Sequence, residues 1–228
     1  MVLTIFFIIV VVFSAIIHEY AHGWVAYKLG DQTAKMAGRL TLNPIPHLDP
    51  VGSILLPFLL IFSGSPFVLA WAKPVPYNPH NLSDAKYGDL KVAIGGPGSN
   101  LIVAIFFGLL ARLLAVPALL KAGLINSLLG GDFNFVLSQM SGSILISVFV
   151  MSAVICLINL ILMLFNLIPI PPLDGSKVLM TFLPPDWQIR MQKIEPYGIF
   201  IVIFFLFTGL IDLIFIPLFF LFRILVGF

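Results

Sequence analysis

The residues best suited to chemistry are two histidines four positions apart with an acid between them, His18-Glu19-Tyr20-Ala21-His22. On a helix, positions i and i+4 share a face, so His18 and His22 can present two imidazoles to one metal ion. Glu19 is displaced by about 100° around the axis and can reach a water on that metal. Zinc lowers the pKa of a coordinated water to about 7, and a carboxylate beside it can take the proton and later deliver it to a leaving amine. Those are the needs of peptide-bond hydrolysis.

Catalytic zinc usually takes three protein ligands and leaves a fourth position for water. The available third ligands are His47, His80, Asp49, Asp174, Glu195 and Asp212. Asp174 stands out by context: it follows an apolar span, sits behind Pro169, Pro171 and Pro172, and precedes Gly175. Prolines hold the chain extended and glycine then permits a sharp turn. The outcome is a carboxylate on a rigid bend, with a plain helix N-cap as the structural alternative.

These residues must be positioned by elements that live in lipid. The chain has 228 residues, 60% of them hydrophobic and 10% charged, with a mean hydropathy of +1.11; soluble domains carry about 25% charge. The apolar residues are laid out in blocks near the 20 or so needed to cross a bilayer. The formal net charge of +2 is dispersed, so no basic patch suggests nucleic acid. The single cysteine, Cys156, forms no intrachain disulfide and does not report a redox compartment. No Lys or Arg precedes the first apolar stretch, which runs into the His-Glu-x-x-His segment where a small-residue cleavage site would stand. It therefore reads as a retained transmembrane helix and not a signal peptide.

The expected fold class is all-α: a polytopic integral membrane helical bundle of five to six transmembrane segments, forming one membrane-embedded domain over residues 1–228. The first span covers residues 2–29 and is closed by Gly30-Asp31. A second, over residues 51–72, is interrupted by Pro57, Gly64 and Pro66 and reads as a bent helix or re-entrant hairpin. The third covers residues 90–114 and the fourth residues 144–165. Residues 117–139 suit an interfacial helix, residues 176–183 are a short segment and residues 184–193 a polar turn. The tail, residues 197–228, forms one long span or two short ones, with Asp212 at a break before Pro217. Lys and Arg occur in nearly every loop, so charge does not set the orientation. At 1.5 Å per residue His18 lies roughly 25 Å from the start of its helix and His22 roughly 9 Å from Lys28, sunk below one membrane face.

Three motifs in order then resemble the site-2 protease family, intramembrane zinc metalloproteases of peptidase family M50. They are His-Glu-x-x-His at His18–His22, Gly-x-x-x-Asn at Gly96 and Asn100, and Asn-x-x-Pro-x-x-x-Leu-Asp-Gly at Asn166, Pro169, Leu173, Asp174 and Gly175. The resemblance implies one Zn2+ per chain held by His18, His22 and Asp174, with Glu19 as general base. It also implies a helical core that admits a transmembrane protein substrate, in a multi-pass protein of the cell membrane. The chain looks like a compact form without PDZ or CBS domains.

The remaining polar residues have two readings each. Asn100 and Asn166 can donate to a developing oxyanion or bind the unwound substrate strand, or they can hydrogen-bond a neighbouring helix. His47 and Asp49 can line the site, or belong to an interfacial turn with exposed polar tips. Gly95, Gly96 and Gly98 suit close helix packing, since a phosphate loop would need a following Lys and a preceding strand. The rival function is a membrane metal transporter or sensor using the same His/His/Asp ligands, which calls for a second ligand set along a path through the bundle and gives Glu19 no duty.

Overall fold

The computed structural model describes residues 2–63, 71–209 and 212–228. Eleven α-helices occur among them: α1 Val2–Lys28, α2 Thr33–Met36, α3 Leu56–Phe62, α4 Gly88–Leu113, α5 Ala118–Leu129, α6 Phe133–Gly142, α7 Ile144–Asn166, α8 Asp174–Met180, α9 Pro185–Ile194, α10 Gly198–Phe207 and α11 Asp212–Val226. No strand occurs among the described residues. Three helices, α1, α4 and α7, are long and apolar enough to cross a membrane. Further crossings in the expected five to six would have to come from shorter apolar helices.

Helix α7 sits at the centre because it is apolar on nearly every side. Its residues Phe149, Val150, Ala153, Val154, Cys156 and Leu160 are fully buried against Leu3 and Val10 of α1, Ala104 and Ala111 of α4, and Leu218 and Phe222 of α11. Small residues permit the close approach: a Cβ on Gly108 would lie 2.7 Å from Leu225 Cβ and 3.0 Å from Cys156 Sγ. Outside this core the helices expose apolar stripes, such as Ile102, Phe106, Leu109 and Leu113 on α4. Their i, i+4, i+7, i+11 spacing makes a continuous face that water would penalise and lipid accepts.

The polar ends are organised by specific bonds. Gly30, at φ 104°, closes α1 in the left-handed region that glycine favours. Asp31 follows, fully buried, and accepts hydrogen bonds from the Thr33 amide (3.2 Å), the Thr33 hydroxyl (2.6 Å), Asn81 Nδ2 (2.9 Å) and the Asn78 amide (2.8 Å). Burial pushes its carboxyl up, but these bonds outweigh burial and hold it below the usual carboxylate range. The linked stability is therefore present above the ordinary pKa of about 3.9 and is lost as pH falls through the lower folded value. Asp31→Ala strands four donors and is expected to destabilise the chain by about 2–3 kcal/mol, seen as a lower melting temperature in detergent at pH 7. An unchanged melt would show that the carboxylate does not anchor the 78–81 loop.

The local elements refine several expectations and overturn one, the polar turn over 184–193. Residues 117–139 form two helices, α5 and α6, because Gly130, Gly131 and Asp132 interrupt the run and Asp132 caps α6 through the Phe135 amide. The segment 184–193, expected as a polar turn, is the helix α9: Pro185 at its first position fixes a helical start, and Trp187 and Ile189 interleave with polar residues. The tail is two helices, α10 and α11, the latter beginning at Asp212. The second apolar stretch forms a π-helical turn over Pro50–Leu55 followed by α3; Gly64 and Pro66 lie outside the described residues. After these, residues 71–78 form neither helix nor strand, with Lys73 N–H donating to the His47 carbonyl (2.8 Å) and buried Arg39 donating to the carbonyls of Lys73 and Pro74.

Candidate metal centre

Helices α1 and α4 pack together, and a matched pair of stripes defines the site. On α1 the buried positions Val10, Ser14, His18, His22 and Ala26 recur every four residues. On α4 the facing positions are Val92, Gly96 and Asn100. His22 Nδ1 lies 2.7 Å from the Val92 carbonyl and His18 Nδ1 lies 2.6 Å from Asn100 Oδ1. Gly96, between them, is where the rings crowd the opposing helix: a Cβ there would fall 2.3 Å from His22 Nε2 and 2.6 Å from His18 Nε2.

The third side chain arrives from the far end of α7. The bend Leu167–Leu173 turns the chain back, and Asp174 opens α8, which packs on α4. Gly175 is required by this fold-back, since a Cβ on it would sit 2.2 Å from the Leu167 carbonyl oxygen. Asp174 Oδ2 then lies 3.0 Å from His18 Nε2 and 3.1 Å from His22 Nε2, and the two Nε2 atoms are 3.0 Å apart. All three residues are buried.

The donor set fits zinc. Both Nδ1 atoms face oxygens that accept, so in the neutral form each ring would carry its proton on Nδ1 and turn the Nε2 lone pair inward. Two nitrogen lone pairs and a carboxylate oxygen thus converge on one point, an arrangement that repels itself in a low-dielectric interior unless a cation is shared. Doubly protonated rings would satisfy Asp174 but would press two imidazolium groups together at 3.0 Å. Tetrahedral zinc with bonds of about 2.0–2.2 Å wants donors about 3.3 Å apart, close to the triangle observed. Among the described residues this is the one group of His, Cys, Asp and Glu side chains that converges in this way. The second ligand set that a transport path calls for is not found among them.

Glu19, half-buried beside the two histidines, accepts a hydrogen bond from the Val75 amide at 2.9 Å, so segment 71–78 passes over this face of α1. Asn100 touches His18 directly. Asn166, at the end of α7, donates Nδ2 to the Leu162 carbonyl of its own helix at 2.9 Å. His47 and Asp49 are not part of the three-residue group. His47 is buried, not an exposed tip, with Nε2 2.9 Å from the Thr41 carbonyl. Asp49 caps the Pro50–Leu55 turn by accepting from the Val51 and Gly52 amides. His80 is exposed.

Two residues were not singled out in the sequence. Tyr77 packs by the Ala26–Leu82–Val92 cluster with Lys177 Nζ 5.2 Å from its ring centroid. Burial, then the carboxylates of Asp89 and Asp174, push its phenol well up, so it stays neutral. Asn159, wholly buried in α7, hydrogen-bonds Asn100; an amide inside so apolar a span needs a partner, and that was its signal.

An all-α membrane protein with a His/His/Asp centre and an adjacent glutamate belongs to the zinc metallopeptidase class. The comparisons with known proteins narrow this. The model of peptidase family M50 matches residues 77–209. "Putative zinc metalloprotease YwhC" of Bacillus subtilis is 38% identical over 202 residues, which cover 87% of this chain and 80% of that protein. "Putative zinc metalloprotease Rip2" of Mycolicibacterium smegmatis is 27% identical over 195 residues, covering 86% of this chain and 64% of its own length. Rip2 of Mycobacterium tuberculosis is also 27% identical, with 85% and 63% covered. No solved structure matches the chain. The chain belongs to peptidase family M50, the site-2 protease family, and is a zinc metalloprotease of the membrane.

Proposed function

We propose that the protein is a multi-pass endopeptidase of the cell membrane, folded as one domain over residues 1–228. It hydrolyses peptide bonds in or near the transmembrane segments of other membrane proteins, with His18, His22 and Asp174 as the zinc ligands and Glu19 as general base. The observation that carries the reading is the convergence of two Nε2 atoms and one carboxylate oxygen within 3.1 Å, with Glu19 one residue from the first histidine. Zinc held by His18, His22 and Asp174 would supply Lewis acidity, lowering the pKa of a water toward neutrality and polarising a carbonyl.

The chain's own residues do the rest. His18, His22 and Asp174 would hold the ion. Glu19 takes a proton from the attacking water and returns it to the amine nitrogen as the peptide bond breaks. Asn166 spends one amide proton on Leu162, which leaves the other to stabilise charge on the scissile carbonyl oxygen or to bind the substrate strand. A helical substrate must unwind first, because its peptide bonds are covered by their own hydrogen bonds and side chains.

The test is cleavage of a transmembrane peptide in detergent or liposomes. Chelation should abolish turnover and stoichiometric Zn2+ should restore it, while His18→Ala and Asp174→Ala should bind no zinc. A metal-flux assay on the same liposomes addresses the rival: metal transport without peptide cleavage would overturn the protease reading.

A further inference from the structure

Helix α7 contributes more than packing to the centre. Asn100 Nδ2 donates to the Ser14 carbonyl at 3.2 Å and to Asn159 Oδ1 at 2.9 Å. Asn159 Nδ2 in turn donates to the Ser14 hydroxyl at 2.9 Å and to the Ile155 carbonyl at 2.9 Å. Ser14, Asn100 and Asn159 are all buried, and they tie α1, α4 and α7 together one turn below His18.

This chain of bonds has a direction. The carbonyls of Ser14 and Ile155 can only accept, so each amide must turn its NH2 group toward them. Asn159 therefore presents Oδ1 to Asn100, and Asn100 presents Oδ1 to His18 Nδ1. Turning the Asn100 amide over would set its oxygen against the Ser14 carbonyl and Asn159 Oδ1, both acceptors. It would also point NH2 at His18, which drives the ring proton onto Nε2, where it blocks ligation. We infer that Asn159, with the Ser14 hydroxyl behind it, is a positioning residue for the metal centre: it fixes the Asn100 amide and so holds His18 in the tautomer whose Nε2 is free to bind zinc. The inference rests on His18 being a ligand, as proposed above.

The test uses the full chain in detergent and two readouts, zinc affinity by chelator competition and the tautomer of His18 from side-chain 15N spectra of the metal-free protein. With only four histidines in the sequence the signals can be assigned by substitution. Asn159→Leu should weaken zinc binding about 10–100-fold, the usual effect of losing a partner behind a ligand, and should give a mixture of His18 tautomers where the wild type shows Nδ1–H alone. Should Asn159→Leu fail to fold, the pair Ser14→Ala and Ser14→Thr decides: the alanine variant should bind zinc several-fold more weakly, and threonine, which keeps the hydroxyl, should restore wild-type affinity. Wild-type affinity and an unmixed tautomer in Asn159→Leu, or equal affinities in the Ser14 pair, would overturn the inference while His18→Ala still loses zinc. Zinc retained by His18→Ala would instead overturn the ligand assignment, and this inference with it.

Discussion

Glu19→Gln will bind zinc like the wild type and cleave a transmembrane peptide about 10²–10⁴-fold more slowly, the range attributed to a positioned general base. The substitution is nearly isosteric and keeps an oxygen that can accept the Val75 N–H, now 2.9 Å from Oε2. Segment 71–78 should therefore stay where it is. The three candidate ligands are untouched, and their partners Asn100 and Val92 are too. What disappears is the basic oxygen, since an amide cannot take a proton from water near neutral pH. Metal content by elemental analysis and initial rates on one peptide substrate separate the two effects. Zinc loss in the variant would mean that Glu19 supports the metal, and turnover within a few-fold of wild type would remove it from the role of base.

How much of this was legible beforehand follows from what each level of structure depends on. The three long helices were readable because a bilayer asks for about 20 apolar residues in a row, and α1, α4 and α7 begin and end close to where composition changes. His18 and His22 were readable because helical periodicity alone places them on one face. The meeting of Asp174 with them, 156 and 152 residues apart along the chain, is a tertiary fact. It was inferable through the proline-rich bend, Gly175 and the family resemblance, and not through periodicity. Shorter elements were harder. The amphipathic α9 reads as a turn when its prolines and charges are weighed locally, since Pro185 breaks a helix in the interior but starts one at the first position. Segment 71–78 owes its path to bonds with His47, Arg39 and Glu19, none of them near it in sequence. Asn159 was obscured by the apolar residues around it, although an amide in such surroundings is itself a sign of a partner.

The Gly-x-x-x-Asn motif takes a physical meaning from these distances, and it yields the most severe prediction. Gly96 and Asn100 are one helical turn apart, so the same face of α4 that holds His18 through Asn100 must also leave room for both rings. A methyl at position 96 would lie 2.3 Å from His22 Nε2 and 2.6 Å from His18 Nε2, where the donor atoms converge. Neither ring can retreat cheaply, because His22 is tied to Val92 at 2.7 Å and His18 to Asn100 at 2.6 Å, both on α4 itself. Moving the helix away would break those same bonds. Gly96→Ala should therefore weaken zinc binding by more than about 100-fold, beyond what partners behind the ligands usually command, and should remove activity with it. Helix propensity cannot be the reason, since alanine favours a helix over glycine by about 1 kcal/mol. Gly98→Ala is the control, because a Cβ there meets nothing within 4 Å, and it should keep both zinc and turnover. If Gly96→Ala held zinc as tightly as Gly98→Ala does, the point where His18, His22 and Asp174 meet could not be where the metal sits.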